Sequence, residues 1–166
     1  ESEHFDANRD NYNNAVNPTP GGANVLMISS AENTAIAYRS AAVTTEADKV
    51  YVLSAALNTE NLSGYGANLV LKNGNNVIAT IENIKGGSGF KTYNFYIDSG
   101  SASHSVTLEI WLGMNDRIDN ATKLASGTMF VKDVSFKEYT QENFPTDYAA
   151  YSELTAKYDN LRSIGS

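Results

Sequence analysis

Trp111 stands two residues beyond Glu109 in Val106-Thr107-Leu108-Glu109-Ile110-Trp111-Leu112. In an extended strand, residues two apart share a face, so the single tryptophan of the chain is expected beside a carboxylate. A flat aromatic ring next to a hydrogen-bonding group suits a sugar. The ring stacks on the apolar C–H face of a pyranose while the polar group takes its hydroxyls. The other parity (Val106, Leu108, Ile110, Leu112) is uniformly aliphatic and should face a core. In Phe90–Ile97, the more polar parity is Phe90, Thr92, Asn94 and Tyr96, so Asn94 and Tyr96 are expected to share the face of Glu109 and Trp111. Asn68 and Lys72 stand opposite the aliphatic set Ala67, Leu69 and Leu71, and Tyr65 sits between two glycines, where a loop can present its ring. The candidate ligand contacts are therefore Trp111, Tyr96, Glu109, Asn94, Tyr65 and Asn68.

These positions also have a purely structural explanation. The outer face of a sandwich sheet can be solvated or covered by loops, and a single tryptophan there can be buried as readily as it binds a ligand. Tyr38, Tyr51 and Tyr93 are expected to be packing residues.

Catalytic constellations are missing. His4 and His104 are the only histidines, and neither sits near a Gly-x-Ser-x-Gly nucleophile motif. The HExxH, P-loop and EF-hand patterns are absent as well. A glycosidase needs two carboxyl groups across a sugar, and Glu109 is the one acid placed mid-strand, with Glu82 and Asp98 at strand ends. The expectation is a non-enzyme, with a small glycoside hydrolase as the route open to paired acids that meet only in space.

The elements that position these residues read as strands. The chain has 166 residues, enough for one domain that buries roughly 70% of its unfolded surface without a staple. It contains no cysteine, which removes disulfides, thiolate metal sites and thiol nucleophiles together. Its formal charge of −7, with no basic cluster, argues against a nucleic-acid groove or an anionic membrane surface. No apolar run is long enough to span a bilayer. Opening on Glu1, the chain is expected to be a piece of a longer protein, with any leader or wall anchor elsewhere.

Strand patterns are expected at Asn24–Ser29, Thr34–Ser40, Lys49–Asn58, Ala67–Lys72, Asn76–Ile84, Phe90–Asp98, Ser103–Met114 and Gly127–Glu138. Asn/Gly-rich breaks such as Lys72-Asn73-Gly74-Asn75-Asn76 separate them. Strands without intervening helices predict an antiparallel β-sandwich. Residues 1–22 read as loop, apart from a short strand near His4–Ala7. Residues 1–139 form the expected sandwich domain. Residues 140–166 form an expected C-terminal α-helix or linker, because Tyr148, Tyr151, Leu154, Tyr158 and Leu161 recur at helical spacing. That stripe would dock on the sandwich, lead into a following domain, or meet a second chain.

Three segments together resemble the jelly-roll carbohydrate-binding modules of bacterial surface and secreted proteins, the group around families 4, 9 and 22. They are Lys49-Val50-Tyr51-Val52-Leu53-Ser54-Ala55, Phe90-Lys91-Thr92-Tyr93-Asn94-Phe95-Tyr96-Ile97, and the closing Gly127-Thr128-Met129-Phe130-Val131-Lys132-Asp133-Val134-Ser135-Phe136. Phe90 stands where that group places tryptophan. The group's Asn-Gly-(Asp/Ser)-Phe-Glu opening is not present. The resemblance covers about residues 24–138. It implies a jelly-roll module that binds a polysaccharide without catalysis, within a larger extracellular or cell-surface bacterial protein. Its glycan would be a plant β-glucan, xylan or starch. It also implies a structural calcium ion (Ca2+) held by Asp133, with Asp6 or Glu3 as partner. The contrasting expectation is the same sandwich acting as a structural or adhesive spacer with no sugar site.

Overall fold

Alternation of apolar and polar side chains governs the chain from Leu26 onward, and it folds as strands. The computed structural model describes residues 2–4, 25–40, 42–116, 121–145 and 161–163. The strands are β1 (Ser2–His4), β2 (Leu26–Thr34), β3 (Ile36–Arg39), β4 (Val43–Thr45), β5 (Val50–Gly64), β6 (Ala67–Asn73), β7 (Asn76–Ile84), β8 (Phe90–Asp98), β9 (His104–Leu112), β10 (Met114–Asp116), β11 (Ala121–Lys123), β12 (Ala125–Glu138) and β13 (Leu161–Ser163). Among the described residues there is no helix.

Two sheets form. Sheet A runs β1-β3-β9-β6-β7, with β4 also on β9; sheet B runs β13-β8-β5-β12-β2; β10 and β11 make a separate ribbon. One buried cluster joins the inner faces of both sheets, including Leu69, Leu71, Leu108 and Ile110 from A and Leu53, Leu57, Phe95 and Met129 from B. This shared core makes the molecule a β-sandwich. Val106, Leu108, Ile110 and Leu112 are each at most 1% exposed, as their parity predicts. Tyr38 and Tyr51 are buried, and Tyr93 packs on the same core.

Turn chemistry sets the hairpins. Asn73 pairs with Asn76, leaving Gly74-Asn75 as a two-residue loop, and Gly74 has φ of 62°. A positive φ at the first central position is the geometry glycine permits in a tight hairpin.

The structure departs from the sequence reading in three places. The expected continuous strand Ser103–Met114 breaks at Gly113, whose φ is 76° and where any Cβ would collide with the Thr34 carbonyl oxygen. The sheets are not wholly antiparallel, because β1 pairs parallel to β3 and β13 parallel to β8. Both parallel pairs involve chain ends added as outermost strands after long connections, which parallel pairing requires. Finally, Leu161, the last member of the expected helical stripe, lies in β13 opposite Tyr96. The rest of that stripe, Tyr148 to Tyr158, lies outside the described residues, as does the expected loop apart from β1.

Candidate functional site

The outer face of sheet A brings Trp111, Glu109 and Asn68 together. The register sets Trp111 opposite Ala37 on β3 and Asn68 on β6, and Glu109 opposite Arg39 and Val70. The Trp111 Nε1–H donates to Glu109 Oε1 at 3.1 Å. Arg39 Nε and Lys72 Nζ each donate to Glu109 Oε2 at 3.2 Å. A buried carboxylate is tolerable when donors and opposite charge surround it, and Glu109 has three donors, two of them cationic.

That face is closed over the tryptophan. Trp111 is 4% exposed and packs with Ala37, Val70 and Met114, with Ala35 and Tyr65 against the same cluster. A sugar could reach the ring only if those side chains moved. Asn68 is fully buried and saturated: Nδ2 donates to the Gly113 carbonyl at 2.8 Å, and Oδ1 accepts from the Asn83 amide at 2.7 Å. It locks the β6–β7 and β9–β10 crossings together.

Tyr65 sits half-buried at the edge of this cluster. Its hydroxyl donates to Glu82 Oε1 at 2.7 Å, Thr80 Oγ1 donates to Glu82 Oε2 at 2.8 Å, and Lys123 Nζ lies 4.8 Å from the ring centroid. The hydrogen bond to Glu82 holds the tyrosine hydroxyl above its ordinary pKa; burial and the charge of Glu82 add to this, and Lys123 opposes it. The ring is therefore engaged within the protein.

Tyr96 and Asn94 lie on the other side of the molecule. Phe95 and Ile97 face the shared core, so Asn94 and Tyr96 project from the outer face of sheet B. The expected common face with Glu109 and Trp111 is thus corrected. Parity separates core from non-core but does not say to which sheet a strand belongs. Tyr96 is 8% exposed, beneath Tyr139 at 6.0 Å between centroids, which in turn packs on Phe144 at 5.2 Å. Asn94 Oδ1 accepts from Ser54 Oγ at 2.6 Å.

Beyond that aromatic cap, the outer face of sheet B carries a row of half-buried side chains among the described residues. Met27, Phe130, Asn58 and Phe90 are successive cross-strand neighbours on β2, β12, β5 and β8, and all four are half-exposed. With neighbouring strands about 4.8 Å apart, this row spans roughly 14 Å. The next row holds Lys132, Ala56 and Thr92, and the one after it Ser135, Ser54 and Asn94. Ser29 and Thr128 share a hydroxyl hydrogen bond of 2.9 Å at one corner. Lys132 Nζ stands 4.3 Å from the Phe90 ring centroid. The sequence reading placed Phe90 and Phe130 within resemblance motifs without making them contacts. The available signal was Phe130, which shares the polar parity of Thr128 and Lys132 while Met129 and Val131 face the core.

Of the residues expected for calcium, Asp133 and Glu3 are described and lie on different sheets. Asp133 is exposed on β12 at a register shift, with φ of 52°. This bulge shifts the strand's parity by one residue, so that Val134 and Phe136 pack on the core as Val131 does. Glu3 belongs to β1 in the opposite sheet, and Asp6 lies outside the described residues. Among the described residues, no three His, Asp or Glu side chains cluster to hold a metal.

Among the described residues the fold is a β-sandwich in which sheet A is packed over Trp111 on its outer side and sheet B presents aromatic, amide and hydroxyl groups on its own. No family model and no curated protein matches the sequence. Solved structures similar to this chain include carbohydrate-binding modules and structures from infectious bursal disease virus, one of the latter a VP2 protein at 13% identity over 69% of this chain and 31% of that one, with a TM-score of 0.28. One of the modules is a CBM4, at 12% identity over 69% of this chain and 70% of that one, with a TM-score of 0.47. Another is the C-terminal CBM6 of LamC, a marine laminarinase from Zobellia galactanivorans, at 10% identity over 70% and 86%, TM-score 0.36. A third is CBM6cm-2 from Cellvibrio mixtus lichenase 5A, solved with cellotriose, at 16% identity over 67% and 71%, TM-score 0.31. The likeness concerns strand arrangement; residue roles rest on this chain's own geometry.

Proposed function

We propose that the chain is a non-catalytic polysaccharide-binding module and that its binding surface is the outer face of sheet B. The observation that carries this reading is the half-exposed row Met27–Phe130–Asn58–Phe90. Two rings separated by an amide offer C–H stacking and hydroxyl recognition along one line, on a rigid sheet whose geometry needs no ordering when ligand arrives. The proposed ligand is a plant glycan, a β-glucan, xylan or starch. The proposed setting is a larger extracellular bacterial protein whose other domains it would tether.

Retardation in gels containing starch, xylan or mixed-linkage glucan tests this. Binding to at least one polymer is expected, with loss in Phe90→Ala and Phe130→Ala and retention in Trp111→Phe. Folded alanine variants that still bind as the parent does would remove sheet B from the account. No retardation by any polymer would favour a spacer without a sugar site. Release of sugar from a polymer would make the protein a hydrolase.

A further inference from the structure

Three lysines elsewhere in the described structure sit against carboxylates, Lys49 with Glu46 and Glu138, Lys72 with Glu109 and Lys123 with Glu82, while Lys85 donates to the Gly64 carbonyl and Lys91 lies against the Tyr93 ring. The outer face of sheet B places two lysines without such partners on one surface. Its charged side chains along the rows from Phe130 to Tyr96 are Lys132 and Lys137, at positions opposite Ala56 and Val52. Among the described residues, neither has a carboxylate partner, in a chain with 19 acidic and 12 basic residues. Asp133, exposed at the bulge next to Lys132, forms no ion pair with it, and three acids at the rim are held elsewhere. Glu60 Oε2 accepts from the Gly89 amide at 2.6 Å, Asp98 Oδ1 from the Gly100 amide at 3.0 Å, and Glu138 pairs with Lys49 at 3.4 Å.

We propose that this face selects polysaccharides bearing carboxylate groups, that is uronic-acid-containing chains, over neutral polymers of the same backbone. The inference rests on the polysaccharide-binding reading above and adds the charge class of the ligand. Lys132 lies over the Phe90 ring, so a sugar stacked beside that ring meets an ammonium at its edge. The register partners of Lys132 and Lys137 are four residues apart on β5, so the two cations repeat at roughly 13 Å along the strand. A polymer with recurring carboxylates can engage both. Each contact is a charge-assisted hydrogen bond with no internal acid to displace.

The test pairs each neutral polymer with its acidic counterpart: starch and mixed-linkage glucan with their C6-oxidised forms, and unsubstituted xylan with glucuronoxylan. Affinities are compared at neutral pH and low salt. The acidic form of a bound backbone should bind about tenfold more tightly, the scale of one charge-assisted contact, and added salt should erode the gain. Lys132→Gln with Lys137→Gln should bring the affinity for the acidic form down to that for its neutral counterpart with the unfolding midpoint unchanged, and Lys132→Arg with Lys137→Arg should restore the preference. Equal affinity for both members of a pair overturns the selectivity and leaves the binding reading standing. The absence of binding to every polymer, neutral or acidic, overturns the binding reading itself. Folded glutamine variants that lose neutral and acidic binding alike also overturn the selectivity.

Discussion

Replacing Trp111 separates a structural indole from a sugar-stacking one. The ring is 4% exposed and its N–H meets Glu109 at 3.1 Å. Trp111→Ala removes a buried aromatic, a loss of about 3–5 kcal/mol. Trp111→Phe keeps most of the apolar contact and takes one donor from a buried carboxylate, at about 1–3 kcal/mol. With a urea m-value of about 2 kcal/mol/M, the midpoint should fall by about 2 M for alanine and about 1 M for phenylalanine. Glu109→Gln belongs in the same series. It leaves Arg39 and Lys72 without their shared anion, but their side chains are 27% and 17% exposed, so water offsets much of the loss. Trp111 is the sole tryptophan and reports on itself. Its emission should be that of a buried indole, and saturating polysaccharide should leave it unchanged. A Trp111→Phe variant with parental stability and no glycan binding would refute this reasoning, as would a large emission shift on titration.

Three further outcomes follow from local geometry. Asn68→Ala deprives the Gly113 carbonyl and the Asn83 amide of buried partners, so thermal unfolding should show a loss of about 2–4 kcal/mol; a change within error would mean that water replaces the side chain. At Asp133, whose φ is 52°, substitution by valine should cost about 1–3 kcal/mol, whereas glycine should match or exceed the parent. A glycine variant as unstable as the valine one, or a parent destabilised by a calcium chelator, would give the carboxylate a role beyond its backbone angle. The Tyr65 hydroxyl is held above its ordinary pKa by Glu82, and Tyr93 is raised by burial. For a raised tyrosine, the stabilisation is complete below the unfolded pKa of about 10 and is lost as pH rises through the folded value. Stability should therefore fall in strongly alkaline solution. Glu82→Gln should bring forward one tyrosine in an ultraviolet titration; an unchanged titration would contradict the assigned cause.

Much of the fold was legible because its signals are local. The aliphatic parity of Val106, Leu108, Ile110 and Leu112 and the Gly74-Asn75 turn each depend on a few adjacent residues, and both appear as expected. The break at Gly113 was not legible, since it arises from the Thr34 backbone nearly eighty residues earlier in the chain. The strand at Leu161 was equally hidden. Its helical spacing is a local signal, while pairing with Tyr96 on β8 is a tertiary one. Asp133 drew attention through resemblance, and its positive φ at the bulge is a local backbone feature that the strand pattern did not signal.

The same distinction explains why the candidate site divided. Parity assigned all the polar and aromatic residues correctly to non-core faces, but a sandwich has two such faces. They are separated by the packed core, and strand order alone decides which is which. Their different fates follow from charge and cover. On sheet A, Glu109 draws Arg39, Lys72 and the Trp111 N–H into one buried network, and Tyr65 and Met114 pack over the ring. On sheet B, among the described residues, the rows centred on Asn58 and Ala56 contain no carboxylate, and the aromatic cap of Tyr139 and Phe144 covers the Tyr96 end. Phe90 and Phe130 thereby remain half-exposed beside an uncompensated lysine. The conspicuous tryptophan is packed into the scaffold, and in the proposed reading it is two less conspicuous phenylalanines that meet the ligand.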